Sequence, residues 1–341
     1  MKRVFIFLFS LILLTSCIFT AFNEGEMVPP SDVSFIQEKG APAIDFIQNT
    51  AFYDWLAFSS DGYGNISIYS FINPENPTLI SHTSIPTNQV ISKIEVDSDY
   101  NLYLATGNDG VFIVSASNLN NPSVICHDNN INARDLSFQS EQKGNFLAVA
   151  DVDGWRMYQY MNSFSLIEVG RYYQYYQNER PQRIFLRRNW VFVFNQNSLD
   201  IFDATNTSRI ERINTFFYSN IADFVDFDFI KNGSEEYLAV ATRSNLYFFD
   251  ITNPLNTTMI RDPIGFNKTP RTIRYHQGKL YICCEDRDVS VYVVYSVTSL
   301  SYTDEKARKS FPQVMTDVDF FKDFVYFSSG TGGLRVFRVV I

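Results

Sequence analysis

Charged residues recur at one place in a repeating unit of this chain, where the unit begins: Ile44-Asp45, Ser92-Lys93, Arg134-Asp135, Gln182-Arg183, Asp223-Phe224, Arg271-Thr272 and Thr316-Asp317. Brought around one opening, the guanidinium groups of Arg134, Arg183 and Arg271 would fork onto ligand carboxylates, with Lys93 adding a point charge. The carboxylates Asp45, Asp135 and Asp317 could instead act as an acid–base pair of the kind that lyases and glycoside hydrolases use. A third reading makes the same residues a ring of mutually paired charges lining a wet channel. Asp45, Lys93, Arg134, Asp135, Arg183, Arg271 and Asp317 are therefore the candidate ligand-binding set, and no residue is singled out as catalytic.

Other chemistries find little support. The histidines are His82, His127 and His276. The first two hold the same place in successive repeats, so repetition explains them better than catalysis. No Gly-x-Ser-x-Gly elbow and no His-Glu-x-x-His pair occurs, so hydrolysis by those routes is not expected. Asp151-Val152-Asp153-Gly154 opens like a calcium loop but lacks the distal bidentate Glu and the flanking helices. Glu285-Asp286-Arg287-Asp288 is an acidic turn carrying its own Arg. Neither a metal nor a cofactor is expected. The most unusual segment runs from Arg171 to Arg180 and holds Tyr172, Tyr173, Tyr175 and Tyr176. Tyr faces make stacking platforms for glycans or peptides, yet strand alternation alone would bury every second one between neighbouring elements.

The elements that must position these residues follow from the repeat. Its clearest copy runs from Val90 to His127: an entry strand, an apolar strand (Leu102-Tyr103-Leu104-Ala105), a tight Asp109-Gly110 turn, an alternating strand (Val111-Phe112-Ile113-Val114), an Asn121-Pro122 step and a fourth strand. Gly suits such turns because two-residue hairpin loops need positive φ. The first-strand hydrophobics align as Phe46, Ile94, Leu136, Ile184, Val225, Ile273 and Val318, spaced 48, 42, 48, 41, 48 and 45 residues. A second ladder agrees, with third strands opening at Ile66, Val111, Trp155, Leu199, Leu246, Val289 and Leu334. The turn chemistry is kept at Asp61-Gly62, Asp109-Gly110, Asp153-Gly154 and Gly332-Gly333, whereas copies four to six carry Asn197-Ser198, Ser244-Asn245 and Arg287-Asp288.

About 45 residues holding four short strands is one propeller blade. The expectation is an all-β, seven-bladed β-propeller of four-stranded antiparallel blades. The seventh copy ends after its third strand, and Val33 to Gly40 resembles an orphan fourth strand. The N-terminal strand is therefore expected to complete the last blade and close the ring.

The first residues give an address. Lys2 and Arg3 precede an apolar run from Val4 to Leu14, the size of a signal-peptide core and short for a bilayer span. Leu14-Thr15-Ser16-Cys17 then resembles the bacterial lipobox, which implies diacylglyceryl modification of Cys17 and an exported, envelope-anchored protein, at the outer membrane in a Gram-negative host. The expected division is a signal peptide over 1–16, a lipidated linker over 17–31 and the propeller over 32–341. Losing Lys2 and Arg3 takes the net charge from −9 to −11, which argues against nucleic acid as a partner. Of the remaining cysteines, Cys283 and Cys284 sit in an apolar strand-like run and are expected to pack as small hydrophobes.

The stretch Tyr103 to Val114 with Asn121-Pro122 resembles the LVIVD repeat of bacterial and archaeal surface propellers, a likeness covering residues 33 to 341. It implies an extracytoplasmic propeller lipoprotein with a binding or scaffold role, and it transfers no catalytic residue. The expected function is a noncatalytic, monomeric envelope module for a protein or polysaccharide ligand, attached to the membrane through its lipid. The alternatives are a carbohydrate-active enzyme using the mouth carboxylates, and a structural subunit of an envelope complex.

Overall fold

The computed structural model describes residues 17–19, 22–23, 26–27 and 31–40. From Asn49 to Val340 it describes all but 63, 75, 142–143, 162–164, 174–179, 218–223, 261, 266–267, 277, 295–302, 311–313, 322–323 and 329–333. Aromatic and β-branched residues at short spacing, punctuated by Gly, Asn and Asp turns, give strands almost throughout.

The chain is an all-β propeller of antiparallel blades. Six blades are each built from consecutive strands, beginning with the innermost strands Asn49–Tyr53, Lys93–Val96, Asp135–Glu141, Pro181–Arg187, Phe224–Asn232 and Pro270–His276. The outermost strand of the fifth blade is split into Thr258–Met259 and Ile264–Gly265. The seventh repeat does not make a self-contained blade as the others do. It supplies only Asp317–Phe321, Phe324–Ser328 and Leu334–Val340, in a sheet shared with Ser31–Gly40 and Cys17–Phe19. The count of blades made of consecutive strands is thus six, against the expected seven, because the last sheet draws on both ends of the chain. Phe22–Asn23 and Glu26–Met27 form a small hairpin within the span read as a linker.

The core is a series of clusters between neighbouring blades. In the second blade, Leu102 and Leu104 pack toward the first blade, while the alternate residues Tyr103 and Ala105 pack toward the third. Strand pleating sends successive side chains to opposite faces, so a strand buried on both sides must be apolar continuously. Equivalent clusters join blades three and four, four and five, and five and six. A further cluster joins the first blade to the shared sheet through Tyr69, Phe71 and Tyr326.

Gly110, at φ +82°, makes the second-blade turn: a Cβ there would lie 1.9 Å from the Asp128 carbonyl oxygen. The first-strand alignment holds for Ile94, Leu136, Ile184, Ile273 and Val318, all buried. Phe46 lies outside the described residues, and Val225 falls within a register shift between Phe224 and Asp226.

Candidate binding channel and mouth

The innermost strands surround a central channel, and residues two apart on each strand face it together. Lys93 and Glu95, Asp135 and Ser137, Arg183, Asp226 and Asp228, Arg274, and Asp317 and Asp319 line it in blade order. Asp135, Asp226 and Asp317 each follow the last by 91 residues, two blades on, and the cations come from the intervening blades.

These charges form a lattice that binds blade to blade. Arg274 reaches Asp226 on one side (Nη1 to Oδ2, 2.7 Å) and Asp317 on the other (Nη2 to Oδ1, 3.0 Å). Arg183 Nε stands 3.7 Å from the second oxygen of Asp226, and Lys93 Nζ 3.2 Å from Glu95. The aspartates also accept backbone N–H groups of the next blade. Ile184 donates to Asp135 at 2.8 Å and Ile273 to Asp226 at 3.1 Å, and Thr50 donates to Asp317 at 3.5 Å. Thr272 adds its hydroxyl to Asp226 at 2.6 Å. One step along the strands, Ser137 accepts Leu186 N–H at 3.0 Å and Asp228 accepts Tyr275 N–H.

Proton affinities follow from this arrangement. Burial raises Asp226, but Arg274 and Arg183, with the Thr272 and Ile273 hydrogen bonds, hold it below the ordinary carboxylate value. Burial pushes Asp135 up against the pull of Arg183 and Lys93. Burial carries Asp228 up to about 6, and burial together with the Asp317 charge carries Asp319 up to about 7. For Arg274, burial works against the charge, yet Asp226, Asp317 and Asp228 keep it well above the ordinary value.

Two adjoining spaces along the channel, with Lys93, Glu95 and Arg274 in the walls of both, enclose about 150 and about 210 Å³. A separate cavity of about 350 Å³ lies at the mouth of blades four to six, lined by Gln182, Gln196, Phe224, Val225, Arg243, Pro270, Arg271 and Glu285.

The candidate set thus divides. Lys93, Asp135, Arg183 and Asp317 line the channel, while Arg134 lies half-buried near its entrance. Arg271 is exposed in the mouth cavity and does not enter the channel. The reason is a one-residue register shift at the inner-strand entries of blades four, five and six, which sets Gln182, Val225 and Arg271 out of the pairing. Asp45 lies outside the described residues. The sequence reading missed Glu95, Asp226, Asp228, Arg274 and Asp319, although the 91-residue period from Asp135 to Asp317 passes through Asp226.

Tyr172 packs its ring 4.6 Å from Phe202, between blades three and four. Tyr173 is 47% exposed with Arg171 over its ring, and Tyr175 and Tyr176 lie outside the described residues. His127 stacks on Phe112, His276 on Phe320, and His82 bonds Ser67. Asp151 is bound to Arg156 at 3.0 Å and accepts Val152 N–H at 2.7 Å. Cys283 and Cys284 are buried and form no disulfide.

No protein-family model matches the chain, and no curated protein matches it. Solved structures share its fold. The Pan2 WD40 domain of Neurospora crassa is 10% identical, with 92% of this chain and 97% of that one covered at a TM-score of 0.66. Sqt1 of Saccharomyces cerevisiae is also 10% identical, over 86% and 84%, at 0.63. The computationally designed Ika8 protein is 10% identical over 88% and 98%, at 0.63. The chain is thus a β-propeller similar to WD40 domains, a likeness of fold alone.

Proposed function

We propose that the protein is a noncatalytic binding module of the cell envelope, anchored by lipid on Cys17, whose mouth face seats a protein or polysaccharide ligand. The observation that carries this is the contrast between the two ends of its polar interior. In the channel Lys93, Arg183 and Arg274 are ion-paired and Asp135, Asp228 and Asp319 accept backbone N–H groups, whereas the mouth cavity opens beside the exposed guanidinium of Arg271. An acid–base pair needs two carboxylates about one cleft. Asp135 and Asp317 instead stand on inner strands separated by those of the first and second blades, each bonded to its neighbouring blade.

We read the ring as seven-bladed and LVIVD-like, with the shared sheet as its last blade and Ser31–Gly40 as the closing outer strand. In support, Ser31–Gly40 pairs antiparallel with Leu334–Val340, and the pairing slips between Val336 and Arg338. The outer strand pairs of blades one, two, three, four and six slip at the equivalent step. For the anchor, the support is the Lys2–Arg3 start, the apolar run and the lipobox-like Leu14 to Cys17.

Two measurements test this. Radiolabelled palmitate should enter the full-length chain in a bacterial host and fail to enter Cys17→Ser; equal labelling of both would remove the anchor. A photo-crosslinking residue at position 271 should give adducts with envelope components that are missing from position 259, on the exposed outer edge of blade five. The reverse pattern would move the binding face away from the mouth.

A further inference from the structure

Three departures from the repeat coincide at one place. Copies four, five and six have lost the Gly-containing turn that copies two and three keep at Asp109-Gly110 and Asp153-Gly154. Among the described inner-strand pairings, only those of the same three blades carry an entry bulge. At the mouth of these three blades opens the 350 Å³ cavity. Bulges re-aim a side chain, and here they turn Gln182 and Arg271 out of the channel and into that cavity.

The other side of the mouth is stapled. Thr87 donates its hydroxyl to Asp109 at 2.6 Å, and Asn88 N–H reaches the same oxygen at 3.1 Å. Gly107 and Ala133 exchange backbone hydrogen bonds of 2.8 and 2.9 Å, and the Ser92 hydroxyl reaches the Arg134 carbonyl at 2.7 Å. Beside the cavity a backbone bond from Phe224 to Gln196 still joins blades five and four, while the side chains around it surround a space.

The chemistry of that space is specific. Arg243 and Arg271, both exposed, bring two guanidinium groups from neighbouring blades; Gln182 and Gln196 bring two carboxamides, and Glu285 one carboxylate. Farther around the rim, burial and the Arg180 charge together lower the proton affinity of Arg134, Asp151 pulling the other way. The cavity wall thus carries two guanidiniums against one carboxylate on a chain of net charge −9. We propose that this cavity is a subsite for an acidic peptide segment of a protein partner. The guanidiniums take its carboxylates bidentately, the carboxamides pair with its backbone amides, and Glu285 accepts a neighbouring N–H. A polyuronate offers carboxylates but no row of amide N–H donors, so the amide-and-Glu lining favours peptide. The inference rests on the mouth-binding reading above and narrows it to one class of ligand.

The test uses the full-length chain in non-ionic detergent and a short fluorescein-labelled Glu/Asp-rich peptide, read by anisotropy, with alginate as the competing polyanion. Binding should weaken with salt. Arg243→Ala and Arg271→Ala should each weaken it about tenfold or more, while Arg209→Ala, whose guanidinium pairs with Glu211 on the outer surface, should leave it unchanged. Arg271→Gln should behave as Arg271→Ala does, with the melting temperature unmoved. Alginate binding that needs both arginines, with no peptide binding, would overturn the peptide assignment and leave the mouth-binding reading standing. Binding of either ligand that ignores both arginines would overturn the two together.

Discussion

Asp319 offers the sharpest check on the channel. Its carboxyl sits beside Asp317 on the same strand, with Arg274 and Lys93 reaching toward it from the sixth and second blades. Burial first and the Asp317 charge second lift it from 3.8 to about 7. A carboxyl raised in the folded state costs nothing where it is protonated in both states. It destabilises progressively as pH climbs from the unfolded value through the folded one. At about 1.36 kcal/mol per pH unit, the full gap corresponds to roughly 4 kcal/mol at pH 8. The side chain borders an accessible cavity, so screening cuts the realised figure to roughly 1–2 kcal/mol. Asp319→Asn keeps an acceptor oxygen for Phe320 N–H, now 2.8 Å from Oδ1, and removes only the charge. Thermal melts of wild type and variant should converge at or below pH 4 and separate progressively up to pH 8, where the variant melts higher by about 1.5–3 °C. Equal melting at both pH values, or a wild type that gains on the variant as pH rises, would refute the placement of Asp319 beside Asp317.

Gly110→Ala should lower stability by at least ~2 kcal/mol, because Ala resists φ +82° and its Cβ would strike the Asp128 carbonyl. Gly278→Ala, at φ +75° with nothing within 4 Å, should cost only about 1 kcal/mol, and urea melts compare the two. Arg274→Met should cost roughly 3–5 kcal/mol by leaving the buried Asp226 and Asp317 charges uncompensated, a loss that adding Asp226→Asn should partly restore in the same assay. Tyr172→Ala should destabilise by roughly 2–4 kcal/mol and Tyr173→Ala by less than about 0.5, since the first ring is packed on Phe202 and the second is exposed.

What the sequence made legible was whatever repeats once per blade. The alternation of Leu102, Tyr103, Leu104 and Ala105 reports two buried faces, and Asp109-Gly110 reports a left-handed turn, because each is a local consequence of the backbone it must adopt. The shared last sheet was legible from a shortage at one end of the chain and a surplus at the other: the seventh copy lacks a fourth strand, Val33 to Gly40 has no copy of its own, and Ser31–Gly40 pairs with Leu334–Val340. The inner charges were half legible. Aligning on Val225 drew attention to Asp223, whereas the shift at Val225 sets Asp226 opposite Ala241 and into the channel; in blade six the shift at Arg271 leaves Thr272 in the corresponding place, and Arg274 enters the channel two residues farther along. A bulge adds one residue without altering composition, so hydrophobic periodicity cannot register it.

That insensitivity explains where function is best sought in this ring. The channel lattice obeys a two-blade period, with aspartates on alternate blades and cations between them, and a feature that keeps step with the repeat serves what every blade interface needs, the tying of one inner strand to the next. A ligand site has the opposite requirement. It needs one cavity of particular shape, which strict repetition cannot make without making it at every blade. Gln182, Val225 and Arg271 stand where three successive blades break register together. Breaking register gives up ladder hydrogen bonds at each entry, and in return Gln182 and Arg271 turn into the mouth cavity that those blades surround.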